Sequence, residues 1–167
     1  SAGLARNFVP SMVPMLATRG EFLTSYTPYQ PEVSQGMLQA MWEFQTMVSE
    51  LVGLPISNVS MYDASTSAAE AITCAVRVKS KKAKDPNSVF VSELVPPHRL
   101  SVIRNYTQGV GIDLHILPHN DDGSLDMEMA SSAAGSSAVY VEQPNALGIL
   151  DEGLIGLKEA IGDSTAL

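Results

Sequence analysis

Two phenols, an amide and a carboxylate fall within seven residues in Tyr26-Thr27-Pro28-Tyr29-Gln30-Pro31-Glu32, and two prolines stiffen the backbone that carries them. A loop of that kind can hold hydroxyls rigidly toward a ligand, and ordered loops are where functional groups concentrate. An aromatic loop packed on a surface or a partner has the same composition, so both readings stand for Tyr26, Tyr29, Gln30 and Glu32. A second candidate is Asp63-Ala64-Ser65-Thr66-Ser67, which precedes an apolar helical pattern. Small hydroxyl residues such as Ser65 and Thr66 at a helix N-terminus offer free N–H groups and a positive dipole end to an anion. The same residues are what any capped helix wants, and capping is the reading the chemistry favours. There is no Gly-Lys-Ser/Thr after them and no Gly-x-Gly-x-x-Gly in the chain. His98, after Pro96-Pro97, and Asn145, in Gln143-Pro144-Asn145, each follow a strand pattern, on the side where open α/β sheets bind ligands. A surface or capping histidine and a turn asparagine are the competing readings.

Other chemistries find no footing. His98, His115 and His119 lack metal-site spacing and a carboxylate pair to accompany them, so no metal site is expected. No Gly-x-Ser-x-Gly elbow makes a serine a nucleophile. Four of the five lysines, Lys79, Lys81, Lys82 and Lys84, end a solvated helix, and Lys158 lies between Leu157 and Glu159 within another. None has the desolvated setting that an imine-forming amine needs. Cys74 stands alone, without a disulfide partner, and its apolar neighbours predict a small buried side chain in a reducing compartment.

The elements that must position these groups read as a layered α/β domain. The 167 residues are 45% hydrophobic and 17% charged, which excludes a disordered chain and predicts one domain around a single core. A net charge of −8, with one short basic run at 79–84, argues against nucleic acid. No apolar stretch is long enough to span a bilayer and no basic-then-apolar leader opens the chain, so the expectation is a cytoplasmic protein away from membranes. Both ends look like cuts, Ser1-Ala2-Gly3 being undistinguished and Leu167 following closely on a helical segment, as in a piece of something longer.

Residues 1–33, with prolines at 10, 14, 28 and 31, predict a short helix over 9–19 and then an extended arm. From 34 the signals alternate. A helix over 34–52 is marked by Met37, Met41, Phe44, Val48 and Leu51, with Gly53 placed for a left-handed cap, and its apolar face should pack in a core or an interface. A connector over 57–62, a helix over 68–82, a strand over 88–92, a helix over 97–108, and strands over 113–117 and 138–142 follow. Strands separated by helices predict a three-layer arrangement on a mainly parallel sheet.

One segment says more than any composition. Phe22-Leu23-Thr24-Ser25-Tyr26-Thr27-Pro28-Tyr29-Gln30-Pro31-Glu32-Val33-Ser34-Gln35-Gly36 closely resembles the hallmark of the glycine cleavage system P-protein family, the pyridoxal-phosphate-dependent glycine decarboxylases. The likeness continues through Gln45-Thr46, Leu51-Val52-Gly53-Leu54-Pro55, Ser60-Met61-Tyr62-Asp63 and Ala68-Ala69-Glu70-Ala71, and resumes at Gln143-Pro144-Asn145 with Gly148, covering most of 3–151. It looks like the first subunit of the split form, equivalent to the N-terminal half of the single-chain form. The resemblance implies a fragment of the large domain of the aspartate-aminotransferase-like fold, with an arm over 1–33 and a partial large domain over 34–167. It also implies that the Schiff-base lysine sits on a second subunit, and that this chain completes the pyridoxal phosphate site at the interface without holding the cofactor covalently.

On that implication Tyr26 and Tyr29 approach the partner's cofactor or the glycine carboxylate, and Gln30 and Glu32 hold the loop. Ser65, Thr66, His98 and Asn145 line a vestigial cofactor pocket; Ala64-Ser65-Thr66-Ser67 lacks the glycine frequent in the cofactor-phosphate loops of the fold. The implied partners are the lysine-bearing subunit, lipoylated H-protein and glycine. Two alternatives share the features: a non-catalytic scaffold half, and a truncated aminotransferase-like enzyme.

Overall fold

The computed structural model describes residues 6–24, 26–79 and 81–167. Expectations placed on Ser1-Ala2-Gly3, on Ser25 within the hallmark segment and on Ser80 within the basic run lie outside the described residues. The chain divides into two units, one formed by 6–60 and the other built on 61–167.

Among the described residues the first unit holds three helices. The helix predicted over 9–19 is α1 (Met12–Ala17), and the segment expected to be extended opens instead with a short helix, α2 (Gly20–Leu23), the two separated at Thr18-Arg19, where the Thr18 hydroxyl donates to Pro14 O and closes the turn. After the proline-rich loop comes α3 (Gln35–Val52), which ends as its sequence demands: Gly53 adopts φ +69°, and Leu54 N donates to Ser49 O at 3.2 Å. No residue of α3 is fully buried. Met37, Met41 and Val48 are half-buried, whereas Trp42, Phe44, Met47 and Leu51 stay exposed, so the broad apolar face is only partly used within the chain.

The second unit carries the core. It runs α4 (Ala64–Lys79), β1 (Asp85–Ser92), α5 (Pro97–Gln108), β2 (Asp113–Leu117), α6 (Met127–Ser131), β3 (Ser136–Tyr140), a 3-10 turn (Glu152–Gly156) and α7 (Leu157–Ile161). The strands form one parallel sheet in the order β2-β1-β3, with Phe90 opposite His115 on one side and Val139 on the other. Because side chains alternate along a strand, β1 serves both faces. Val89 and Val91 join Ala68, Ala69 and Ile72 of α4 and Ile103 of α5; Phe90 packs with Leu117, Val139, Ala130 of α6 and Leu157 and Ile161 of α7. The result is the three-layer parallel α/β class that the sequence predicts.

Two expectations are corrected. The single core is two clusters, one on each face of the sheet, because a central strand buried on both sides must fill both. Cys74 is exposed: in α4 its neighbours Ile72 and Thr73 point inward, and the next residue turns about 100° away from them. Among the described residues no helix is long and apolar enough to cross a membrane.

Candidate functional site

The hallmark loop is built from its backbone. Tyr29 N donates to Thr27 O at 2.9 Å and Val33 N to Gln30 O at 3.1 Å, while Gln35 Nε2, from the first turn of α3, donates to Glu32 O at 3.0 Å. With Pro28 and Pro31 fixing φ, the chain has little freedom between Tyr26 and Ser34. The two tyrosine rings lie 6.5 Å apart, tilted by 39°, within the range of a favourable aromatic pair. Both are nevertheless open to solvent, Tyr26 at 92% and Tyr29 at 78%. Gln30 and Glu32 are exposed, and their side chains have no partner among the described residues. A rigid loop that displays two phenols at fixed separation can donate hydroxyl hydrogen bonds to an anion or pack its ring faces against an apolar surface.

The second unit gathers polar groups at the carboxyl edge of its sheet. Helix α4 starts four residues earlier than its apolar pattern implies, so Ser65 and Thr66 lie half-buried in its first turn. Asp63 caps that turn: its Oδ1 accepts Thr66 N at 2.7 Å, and this hydrogen bond holds its carboxyl below the ordinary range. Arg99, in the first turn of α5, also lowers the Asp63 carboxyl through its charge and forms an ion pair between its Nη1 and Glu142 Oε2. Glu142 follows β3; its other oxygen accepts the Tyr140 hydroxyl at 3.0 Å. The pair is well covered, 14% exposed for Arg99 and 13% for Glu142, and Arg99 Nε is buried with no hydrogen-bond partner. Burial works against the Arg99 guanidinium, the Glu142 carboxylate outweighs it, and the net shift is upward. For Tyr140, burial and then the Glu142 charge push the phenol up to about 12.

His98 stands exposed beside Arg99. Asn145 is buried, and its amide works inside its own loop, donating to Gly123 O at 2.9 Å and accepting Leu147 N and Ile149 N at 3.0 and 3.1 Å. These residues do not fit a pyridoxal phosphate. The N-terminal donors of α4 already face a carboxylate, the local charge of Asp63, Arg99 and Glu142 sums to −1, and Asn145 spends its carbonyl oxygen and one of its two amide hydrogens inside its own loop. Lys158 Nζ donates to Gly162 O and Thr165 O, closing the end of α7. Among the described residues no three metal-ligating side chains converge; His119 Nδ1 pairs with Glu93 Oε2 at 2.9 Å, and His115 stacks on Phe90.

Asp63, Arg99, Tyr140 and Glu142 escape a reading by spacing because Arg99 and Glu142 are 43 positions apart. The one signal is Glu142 itself, a charge ending the apolar strand Ala138-Val139-Tyr140-Val141, which calls for a cation nearby.

Comparison with known proteins gives a consistent picture. The family model described as glycine cleavage system P-protein matches residues 1–165. A probable glycine dehydrogenase (decarboxylating) subunit 1 of Thermococcus onnurineus is 44% identical over 167 residues, 99% of this chain and 36% of its own length. The protein of the same description from Thermoplasma acidophilum is 37% identical, covering 99% of this chain and 37% of its own. A crystal structure of glycine decarboxylase (P-protein) of the glycine cleavage system, in inhibitor-bound form, superposes with a TM-score of 0.84 at 41% identity, over 99% of this chain and 37% of that one. The chain thus spans just over a third of the length of the relatives it matches.

Proposed function

The chain belongs to the glycine cleavage system P-protein family, and from that premise we propose that it forms part of a glycine dehydrogenase (aminomethyl-transferring, decarboxylating). In this reading the enzyme decarboxylates glycine with pyridoxal phosphate and passes the aminomethyl group to the lipoyl arm of H-protein. The Schiff-base lysine and the cofactor belong to a second subunit, in the cytoplasm. The functional division is an arm over 1–33 and a partial large domain over 34–167. The arm brings Tyr26 and Tyr29 to the partner's active site, where their hydroxyls hold the glycine carboxylate or the cofactor; Gln30 and Glu32 face the same interface.

The observation that carries this reading is the tyrosine pair. Two large aromatic side chains left open on a backbone-locked loop have no folding purpose within the described chain, since burial is what stabilises an aromatic ring. They make sense once another surface covers them. A scaffold role has its own support: the sheet edge in the second unit is filled by the chain's own Asp63, Arg99 and Glu142.

Tyr26→Phe and Tyr29→Phe separate the two in the assembly of full-length subunits. Each change keeps the ring and deletes a hydrogen bond worth about 1.5–3 kcal/mol if its acceptor is charged. Lost in the transition state alone, the upper figure lowers turnover on the order of a hundredfold. Turnover per assembled complex should fall while sedimentation shows unchanged association. Wild-type turnover in both variants would eliminate the hydroxyl role, and loss of assembly with normal turnover per complex would establish the scaffold.

A further inference from the structure

The loop that displays Tyr26 and Tyr29 enters α3 at Ser34-Gln35. Its backbone bonds are local: Tyr29 N donates to Thr27 O, Val33 N to Gln30 O, and Ser34 N to Pro31 O at 3.3 Å. Pro28 and Pro31 fix φ at their own positions and bring no N–H. These turns close within the loop or at its junction. They fix its shape, and its angle to α3 is left to whatever side chain spans the junction. Ser34 stands at the N-cap of α3 without a side-chain cap hydrogen bond. Gln30 and Glu32 belong to the loop, and their side chains have no partner among the described residues, so neither ties it to the helix.

Gln35 makes that tie. From the first position of α3 its Nε2 donates to Glu32 O at 3.0 Å, and among the described residues this is the one side-chain hydrogen bond between α3 and 26–33. The donor is carried by an 18-residue helix, and the acceptor carbonyl adjoins Pro31. A loop carbonyl held from a helix sets the direction in which the loop leaves it. Without the bond the turns remain and the rings keep their pairing, but the pair swings as a body and the hydroxyls lose their aim.

We propose that Gln35 is a positioning residue for the tyrosine pair, setting the direction in which the Tyr26 and Tyr29 hydroxyls are presented to the active site. This role presupposes the hydroxyl contact set out under Proposed function. It requires a hydrogen-bond donor at position 35, whereas support of the helix itself has the opposite requirement. A carboxylate in the first turn suits the positive end of the helix but cannot donate to a carbonyl; an ammonium donates but opposes the dipole.

The test uses the full-length subunit assembled with its lysine-bearing partner. Gln35→Glu and Gln35→Met should each lower kcat per assembled complex by about three- to tenfold, the factor that one hydrogen bond corresponds to. Gln35→Lys, which keeps a donor, should retain about half of the wild-type value or more. Sedimentation should show unchanged association in all three. Thermal unfolding should rank them the other way, with Gln35→Glu at or above wild type and Gln35→Lys below it. Because the effect runs through the phenols, adding Gln35→Met to the Tyr26→Phe/Tyr29→Phe double variant should cost less than about twofold more. Wild-type kcat in Gln35→Glu and Gln35→Met beside slow tyrosine variants would overturn the positioning role and leave the hydroxyl contact standing. So would a kcat that follows thermal stability across the three variants, or full additivity with the tyrosine changes. Wild-type turnover in the tyrosine variants would remove the hydroxyl contact itself, and the positioning role with it.

Discussion

Replacing Glu142 by leucine removes a carboxylate that serves two groups at once, Arg99 Nη1 and the Tyr140 hydroxyl. What remains is a guanidinium largely enclosed by protein, whose Nε already lacks a partner. Breaking a buried ion pair by deleting one member costs about 3–5 kcal/mol, most of it the uncompensated charge. Residual exposure of 14% and 13% lets some water reach the pair, which puts Glu142→Leu at the lower end, about 3 kcal/mol. Arg99→Met should cost about the same, since it leaves the covered Glu142 carboxylate with only the Tyr140 hydroxyl. The double variant should lie within about 1 kcal/mol of wild type, because two apolar side chains of similar volume carry no charge to desolvate. The three values define a cycle with a coupling of several kcal/mol, measurable against an uncertainty of about 0.5 kcal/mol. Native-state hydrogen exchange in the full-length subunit is the assay, read in peptides from 97–108 and 136–145, since the pair ties the start of α5 to the end of β3. Two additive losses, or single losses below 1 kcal/mol, would refute the reasoning and make the contact a solvent-screened surface pair.

The pH dependence follows from the same cluster. Burial and the Glu142 charge raise the Tyr140 phenol to about 12, against about 10 in an unfolded chain, so the contribution to stability is complete below pH 10 and is lost as pH rises through the window to 12. Tyrosinate absorbance should show one late phenol, absent in Tyr140→Phe and earlier in Glu142→Gln; a single transition near 10 for all tyrosines would count against it. Asn145→Ala should destabilise the 123–151 region by about 2–4 kcal/mol, from three hydrogen bonds lost in a buried loop, and Asn145→Asp should cost at least as much, because it keeps both acceptor contacts but sets a buried carboxylate oxygen against Gly123 O. A loss below about 1 kcal/mol for Asn145→Ala in thermal unfolding would show that these loop contacts carry little.

Much of the framework is written locally. The Val89-Phe90-Val91 run, Pro97 at the first position of α5 and Gly53 after α3 each announce an element through backbone chemistry that needs no distant partner. The start of α4 is harder, because Asp63, Ser65, Thr66 and Ser67 are all acceptable caps and only the reach of the Asp63 carboxylate to Thr66 N selects one. Cys74 shows the same limit in another form: sequence neighbours on a helix are not spatial neighbours. At the sheet edge, Ser65 and Thr66 can be named from helix-start chemistry and His98 and Asn145 from strand-end logic, but the Arg99–Glu142 pair depends on which strand lies beside which. Sheet order is a tertiary fact. It emerges only when β3 settles on the far side of β1 from β2.

That order makes β1 answerable to two surfaces at once. On one face, Ala68 and Ala69 of α4 present almost bare backbone, and Val89 and Val91 fill the space; on the other, Phe90 lies over His115. Sliding β1 by a single residue would present the phenyl ring to the alanines and two branched side chains to the face packed by α6 and α7. Neither misfit could be relieved without separating a helix from the sheet. The paired alanines therefore leave room for Val89 and Val91 and none for a ring, so only one register of β1 satisfies both faces of the sheet.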